Sequence, residues 1–117
     1  MFAVCVVVTA LLAAGALASA ALKLQKKAEI VVSIRDHLGM SLTVLPKLAA
    51  LEIAGAIGSL VGLAVPALGV AACSGLVLYF LGAVGAHVRA GDTKNAARPA
   101  PFLLLAVAAL VLRLATM

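Results

Sequence analysis

Four apolar stretches, separated by connections that hold nearly all the basic residues, constrain this chain more than any motif does. They run over about residues 2–22, 47–65, 67–88 and 101–116. A helix of about twenty apolar residues crosses the hydrocarbon of a bilayer. The first three stretches have about that length. The fourth, about sixteen residues, is near the lower limit and calls for tilt or local thinning of the bilayer. Of the 117 residues, 66% are hydrophobic and 11% charged. A soluble domain this small buries only about 60–70% of its unfolded surface and could not hide so much apolar side chain. The expected fold is all-α: a transmembrane four-helix bundle forming one domain over residues 1–117.

Prolines punctuate the spans. Pro46 suits a helix start, where its missing N–H has no partner to lose. Pro66 separates the second and third spans, and the tight Val65-Pro66 junction implies an antiparallel hairpin. Pro101 opens the fourth span. Between spans one and two, Leu24, Ala28, Val31 and Leu38 recur at helical spacing, with Lys26, Lys27, Ser33 and Asp36 mostly elsewhere around the wheel. That pattern predicts a short amphipathic helix at the membrane surface, with Gly39 as its C-cap. An irregular connection is the alternative.

The net charge is +5, and it is unevenly placed. Lys23, Lys26, Lys27, Arg35 and Lys47 lie between spans one and two, and Arg89, Lys94 and Arg98 between spans three and four. Those are eight of the nine Lys and Arg; only Arg113 lies towards the other side. The positive-inside rule therefore expects both connections in the cytoplasm and both termini outside it, in a bacterial-type plasma membrane. Residues 2–22 could be taken for a signal peptide, with Ala18-Ser19-Ala20 as its cleavage site. No Lys or Arg precedes Lys23, so a retained helix is expected. Arg113 reads as an anchor snorkelling outward. With one Tyr and three Phe for stacking, a nucleic-acid partner is disfavoured. The bilayer is the expected partner, together with another membrane protein or a second copy.

Lipid gives little hydrophobic drive between helices, so small residues and polar contacts must hold the bundle. Ala50, Ala54, Gly58 and Gly62 form a stripe on the second span, with Gly55 and Ser59 beside it. Gly75, Tyr79, Gly82 and Ala86 share a face of the third. These faces are expected to pack against one another; contact with a partner is the alternative.

Glu52 is the most informative residue. It lies five residues into the second span, roughly 8 Å inside the helix start. A carboxylate there must be paired, neutralised or turned inward. Gly55, Ala56 and Ser59 share its face, so it is expected to point into the bundle. Antiparallel packing brings it to the same end as His87, which closes the third span, and Lys23, which ends the first. Arg89 and Asp92 follow His87. The plainer reading, which the sequence favours, is a structural ion-pair and hydrogen-bond cluster. The sharper one has Glu52 and His87 moving protons, with a quinone or thiol compound bound. No cofactor motif is evident. No metal site is expected of Glu52, His87, Asp92 and His37, because no paired histidines at ligand spacing exist. Cys5 and Cys73 are expected as two buried thiols; a redox pair is the alternative, and nothing in the sequence sets their separation.

The run Leu51-Glu52-Ile53-Ala54-Gly55-Ala56-Ile57-Gly58, followed by Val61-Gly62-Leu63, resembles the second helix of DoxX-like membrane proteins. Ala86-His87-Val88-Arg89-Ala90-Gly91-Asp92 resembles the end of that family's third helix, and Leu22-Lys23-Leu24 and the Leu38-Gly39 step also fit. The resemblance covers nearly the whole chain. It implies a four-helix membrane bundle and carries Lys23, Glu52, His87, Arg89 and Asp92 over as site positions. It also implies either an accessory or assembly subunit of another membrane protein or a redox-linked protein associated with quinone or thiol chemistry. On its own the chain is not expected to be an enzyme. A third class, a small-molecule carrier, lacks support: neither a broken-helix pair nor an inverted repeat is visible.

Overall fold

The computed structural model describes residues 1–25 and 43–117, apart from the Asn95 side chain. The expected amphipathic helix, with His37 and Gly39, falls largely on residues 26–42 and lies outside the described residues. The chain forms α1 (Phe2–Leu24), α2 (Val44–Val61), α3 (Pro66–Arg89), a single turn α4 (Thr93–Ala96) and α5 (Ala100–Thr116). The helices α1, α2 and α3 are long and apolar enough to cross a membrane, and α5 is a shorter apolar helix of 17 residues.

The four long helices close into a ring. Each packs on two neighbours, in the order α1–α2–α3–α5 and back to α1. Neighbours run antiparallel, so the bundle has two ends. The connection end holds the finish of α1, the start of α2, the finish of α3 and the start of α5. The termini end holds Met1, Met117 and the turn over residues 62–65.

Helix α2 starts three residues earlier than proline placement predicts, with Thr43 as N-cap and Pro46 in its first turn. The first-turn N–H groups of any helix lack carbonyl partners, so a proline there removes no hydrogen bond. It also ends earlier, at Val61. Val65 is extended, with φ −120° and ψ 90°, as a residue before proline must be, and Pro66 is the first residue of α3.

The buried residues step inward by alternating threes and fours. On α2 they are Leu45, Ala49, Glu52, Ala56 and Ser59; on α3, Gly69, Cys73, Leu76, Phe80 and, two turns on, His87. That is the seam of a left-handed bundle. Leu12, Ala13, Ala16, Ala56, Cys73, Leu76, Phe80, Ala106 and Ala109 form the apolar centre. The Phe80 and Phe102 rings stack at 5.6 Å and link α3 to α5. Phe102 in turn lies where a side chain on Gly15 would stand, so that glycine sets the α1–α5 approach.

The small residues divide in a way the stripes do not predict. Gly62 and Gly69 meet backbone to backbone; a Cβ on Gly62 would land on Gly69. Gly55 receives the Leu76 side chain, and a Cβ on Gly58 would come within 2.9 Å of the Ala72 methyl. These contacts join α2 to α3. Gly75 and Gly82 take no part in them: nothing lies within 4 Å of where their side chains would begin. Ala50 and Ala54 are exposed as well. The inward face of α3 is the Gly69, Cys73, Leu76 and Phe80 seam, and Gly75 and Gly82 lie off it, on the outside.

Candidate functional site

Glu52 points into the bundle and is fully buried. With α2 beginning at Val44, it lies eight residues in, roughly 12 Å along the axis and deeper than the sequence indicates. Lys23 reaches it from the last turn of α1. Side chains on a helix lean towards its N-terminus, so Lys23 runs back along α1. Its Nζ donates to Ser19 Oγ at 2.7 Å and to Glu52 Oε1 at 2.6 Å. The ammonium matches the charge at Oε1; Oε2 is buried with no donor in close hydrogen-bond geometry, and the Tyr79 side chain is the further group facing the carboxylate. Tyr79 on α3 stands within electrostatic reach of the carboxylate. In the sequence Tyr79 falls on a packing stripe, and Ser19 stands in a candidate cleavage motif with no sign of a partner at Glu52. The signal for Ser19 was its i−4 spacing from Lys23.

Tyr79 also lines an open apolar groove of about 610 Å³ between α2 and α3, with Leu51, Ala54, Gly55, Gly58, Gly75 and Leu78 among its walls. The aromatic side chain thus has the buried carboxylate on one hand and the lipid-facing groove on the other.

His87 is 8% exposed and forms a second pair. Its Nδ1 lies 3.0 Å from Asp92 Oδ2. An ionised carboxylate only accepts, so Nδ1 carries the hydrogen. The loop that returns Asp92 to His87 is built by the end of α3. Asp92 N–H donates to His87 O at 2.8 Å and Gly91 N–H to Val88 O at 3.0 Å, with Gly91 at φ 74°. This is a Schellman ending, and the left-handed residue in it favours glycine. Gly91→Val is expected to lower stability by about 1–2 kcal/mol. It should also release Asp92, so that the His87 imidazole resonance in NMR loses its carboxylate-bonded shift. An unmoved resonance would show that the pair does not depend on this turn.

The five residues expected in one cluster therefore separate. Lys23 and Glu52 form one pair, His87 and Asp92 another, and Arg89 faces outward. No hydrogen bond or ion pair joins Glu52 to His87 among the described residues. Nor do three His, Cys, Asp or Glu side chains gather as a metal site would need, within the same residues.

Arg113 is the residue most differently placed from expectation. It does not snorkel outward but is 4% exposed. It follows Ala106 and Ala109 on the inward face of α5. Its Nη1 donates to Gly62 O at 3.3 Å and Leu63 O at 3.2 Å, and its Cζ lies 5.3 Å from the Phe2 ring centre. The last carbonyls of a helix lack intrahelical donors and carry partial negative charge, so a cation at the end of α2 is favourable. The available signal was the spacing of Arg113 from Ala109 and Ala106.

A closed ring of apolar helices around a buried lysine–glutamate pair defines an integral membrane four-helix bundle. A model of the DoxX-like family matches residues 7–109, and the chain belongs to that family. No curated protein and no solved structure matched the chain.

Proposed function

We propose that the chain is an accessory or assembly subunit that receives a transmembrane helix of another membrane protein on its α2–α3 face. The observation that carries this reading is the outward row of Gly75, Gly82 and Gly85. No atom fills the space beyond these glycines. Surface glycines weaken a helix and bury nothing in lipid, whereas they let a neighbouring helix come close. The groove lined by Gly55, Gly58 and Gly75 continues that surface. In this reading the connection end faces the cytoplasm and both termini lie outside it; the positive-inside rule applied to the basic connections supports that orientation.

Purification in mild detergent followed by native mass spectrometry tests the proposal. The expected result is a partner at fixed stoichiometry, lost in Gly82→Leu and Gly75→Leu while thermal stability stays within about 1 kcal/mol of the parent. A self-sufficient homo-oligomer, or a partner that both variants retain, would overturn it.

A second reading rests on Glu52 Oε2, a buried oxygen with no donor in close hydrogen-bond geometry, and on the Tyr79 side chain that faces the carboxylate. It makes the carboxylate and Tyr79 the polar end of a site for a quinone or thiol compound entering by the groove. Bound quinone in the native mass spectrum, lost on Glu52→Gln, is its expected signature; retention in that variant removes Glu52 from the site.

A further inference from the structure

The apolar groove between α2 and α3 has a basic side chain above it on each of its two helices. Three contacts set the register of that pair: Gly62 on Gly69, Gly58 on Ala72 and Gly55 on Leu76. Steps of three or four residues back along α2 are matched by like steps forward along α3. The same register puts Glu52 level with Tyr79, in keeping with their electrostatic contact, and Lys47 level with Val84. Lys47 shares a helix face with Leu51, Ala54 and Gly58, which line the groove. Arg89 shares one with Gly82 and with Gly75, at intervals of seven residues. Arg89 begins about 7–8 Å further out along the axis than Lys47. Side chains lean towards the N-terminus of their own helix, and these two helices are antiparallel. Lys47 therefore leans out from the groove and Arg89 leans back towards it, which draws the two cations together over its mouth.

Both side chains are exposed, and neither makes an ion pair among the described residues. The nearby carboxylates are engaged elsewhere, Glu52 by Lys23 and Asp92 by His87. The groove below is opposite in character. Leu51, Leu68 and Leu78 are among its walls, and it runs about 16 Å along α3 from Leu68 to Tyr79. Between it and Arg89 stands Gly82, with nothing within 4 Å of where a side chain would begin, so the passage is open. Lipid tails are as apolar as these walls and fill such a groove wherever no helix covers it. Lys47 lies in the first turn of α2 and Arg89 is the last residue of α3, so the cations stand where the spans end and headgroups begin.

We infer that the α2–α3 groove is a seat for one anionic phospholipid, with an acyl chain lying against Tyr79 and the groove glycines and the phosphate held by Lys47 and Arg89. The order of parts matches: an apolar chain along the groove, then a negative charge at the level of two unpaired cations. A zwitterionic lipid brings the same chain without the net charge, so the two basic groups make the seat selective. A lipid and a partner helix occupy this face in turn. The inference shares the face with the function proposed above but needs no partner.

Tyr79 makes the seat readable, because it is the one tyrosine in a chain without tryptophan. The full chain, delipidated in mild detergent, is titrated with phosphatidylglycerol and with phosphatidylcholine carrying the same brominated acyl chains, and quenching of the tyrosine emission is followed. Expected is quenching that saturates at one lipid per chain, with phosphatidylglycerol bound on the order of thirtyfold more tightly, as about 1 kcal/mol per basic side chain gives. Lys47→Gln/Arg89→Gln should remove that preference. Lys94→Gln/Arg98→Gln takes the same charge from the link between α3 and α5 and should leave the preference within about twofold. Ala54→Leu narrows the groove and should weaken both lipids alike. Equal affinity for the two lipids in the parent, an equal loss of preference in the two double variants, or binding unchanged by Ala54→Leu would overturn the assignment. So would recovery of the emission on adding inorganic phosphate, which would make the ligand a free anion. The isolated chain is titrated, so a failed search for a protein partner leaves this result unaffected, and failure here leaves the partner proposal standing.

Discussion

Replacing Lys23 with methionine is expected to lower the free energy of unfolding by about 3–5 kcal/mol, the largest effect of any single polar substitution in this protein. The variant leaves the Glu52 carboxylate fully buried and removes its one charged partner, the ammonium 2.6 Å from Oε1. An unpaired charge in an apolar medium is what makes the deletion severe, more than the loss of the pair itself. The double variant Lys23→Met/Glu52→Gln is therefore expected to recover most of the loss, because no charge is then left unmatched. Unfolding in mixed micelles with increasing denaturing detergent measures both. A double variant as unstable as the single one would mean that the pair positions α1 against α2 by packing, not by charge.

Gly62→Val should be about as damaging, for a reason that involves no charge. A Cβ at Gly62 would land on the Gly69 backbone, and the Gly58 carbonyl oxygen lies 2.9 Å from the same point. Backbone cannot rotate away as the end of a flexible side chain can. The α2–α3 crossing must open, and the Arg113 hydrogen bonds to Gly62 and Leu63 open with it. Overpacking in a filled core costs about 1–3 kcal/mol where side chains can adjust. Here the loss should reach or exceed the top of that range. Gly82→Val is the matched control on the same hairpin, since nothing lies within 4 Å of its site. Equal losses in the two variants would mean that helix propensity, not the crossing, sets the effect.

The two sites differ in how far sequence could reach them. That Glu52 must turn inward follows from its charge and the apolar run around it, because lipid leaves a carboxylate no other outcome. That it would meet Lys23, with Ser19 holding the ammonium, depends on the register between α1 and α2. That His87 would pair with Asp92 and not with Glu52 depends on the turn after α3. Gly91-Asp92 following a helix end was a readable sign of that turn. Arg113 was misread because proximity to a helix end suggests solvent, whereas its place on α5 is one turn past Ala109, in the seam.

By itself the sequence determined the four long apolar helices found among the described residues and the need to bury or pair every charge inside them. Those properties follow from hydropathy and length, which the bilayer reads directly. Only the tertiary structure decided which face of each helix turns inward. In a soluble bundle the apolar stripe would have marked that face, but lipid is as apolar as a core, and the hydropathy of these helices is nearly uniform around their circumference. The glycines show the consequence: Gly62 and Gly82 stand in similar apolar sequence, yet one is the closest approach of two helices and the other faces outward with nothing beyond it. The difference is set by the crossing of whole helices, and no local pattern encodes it.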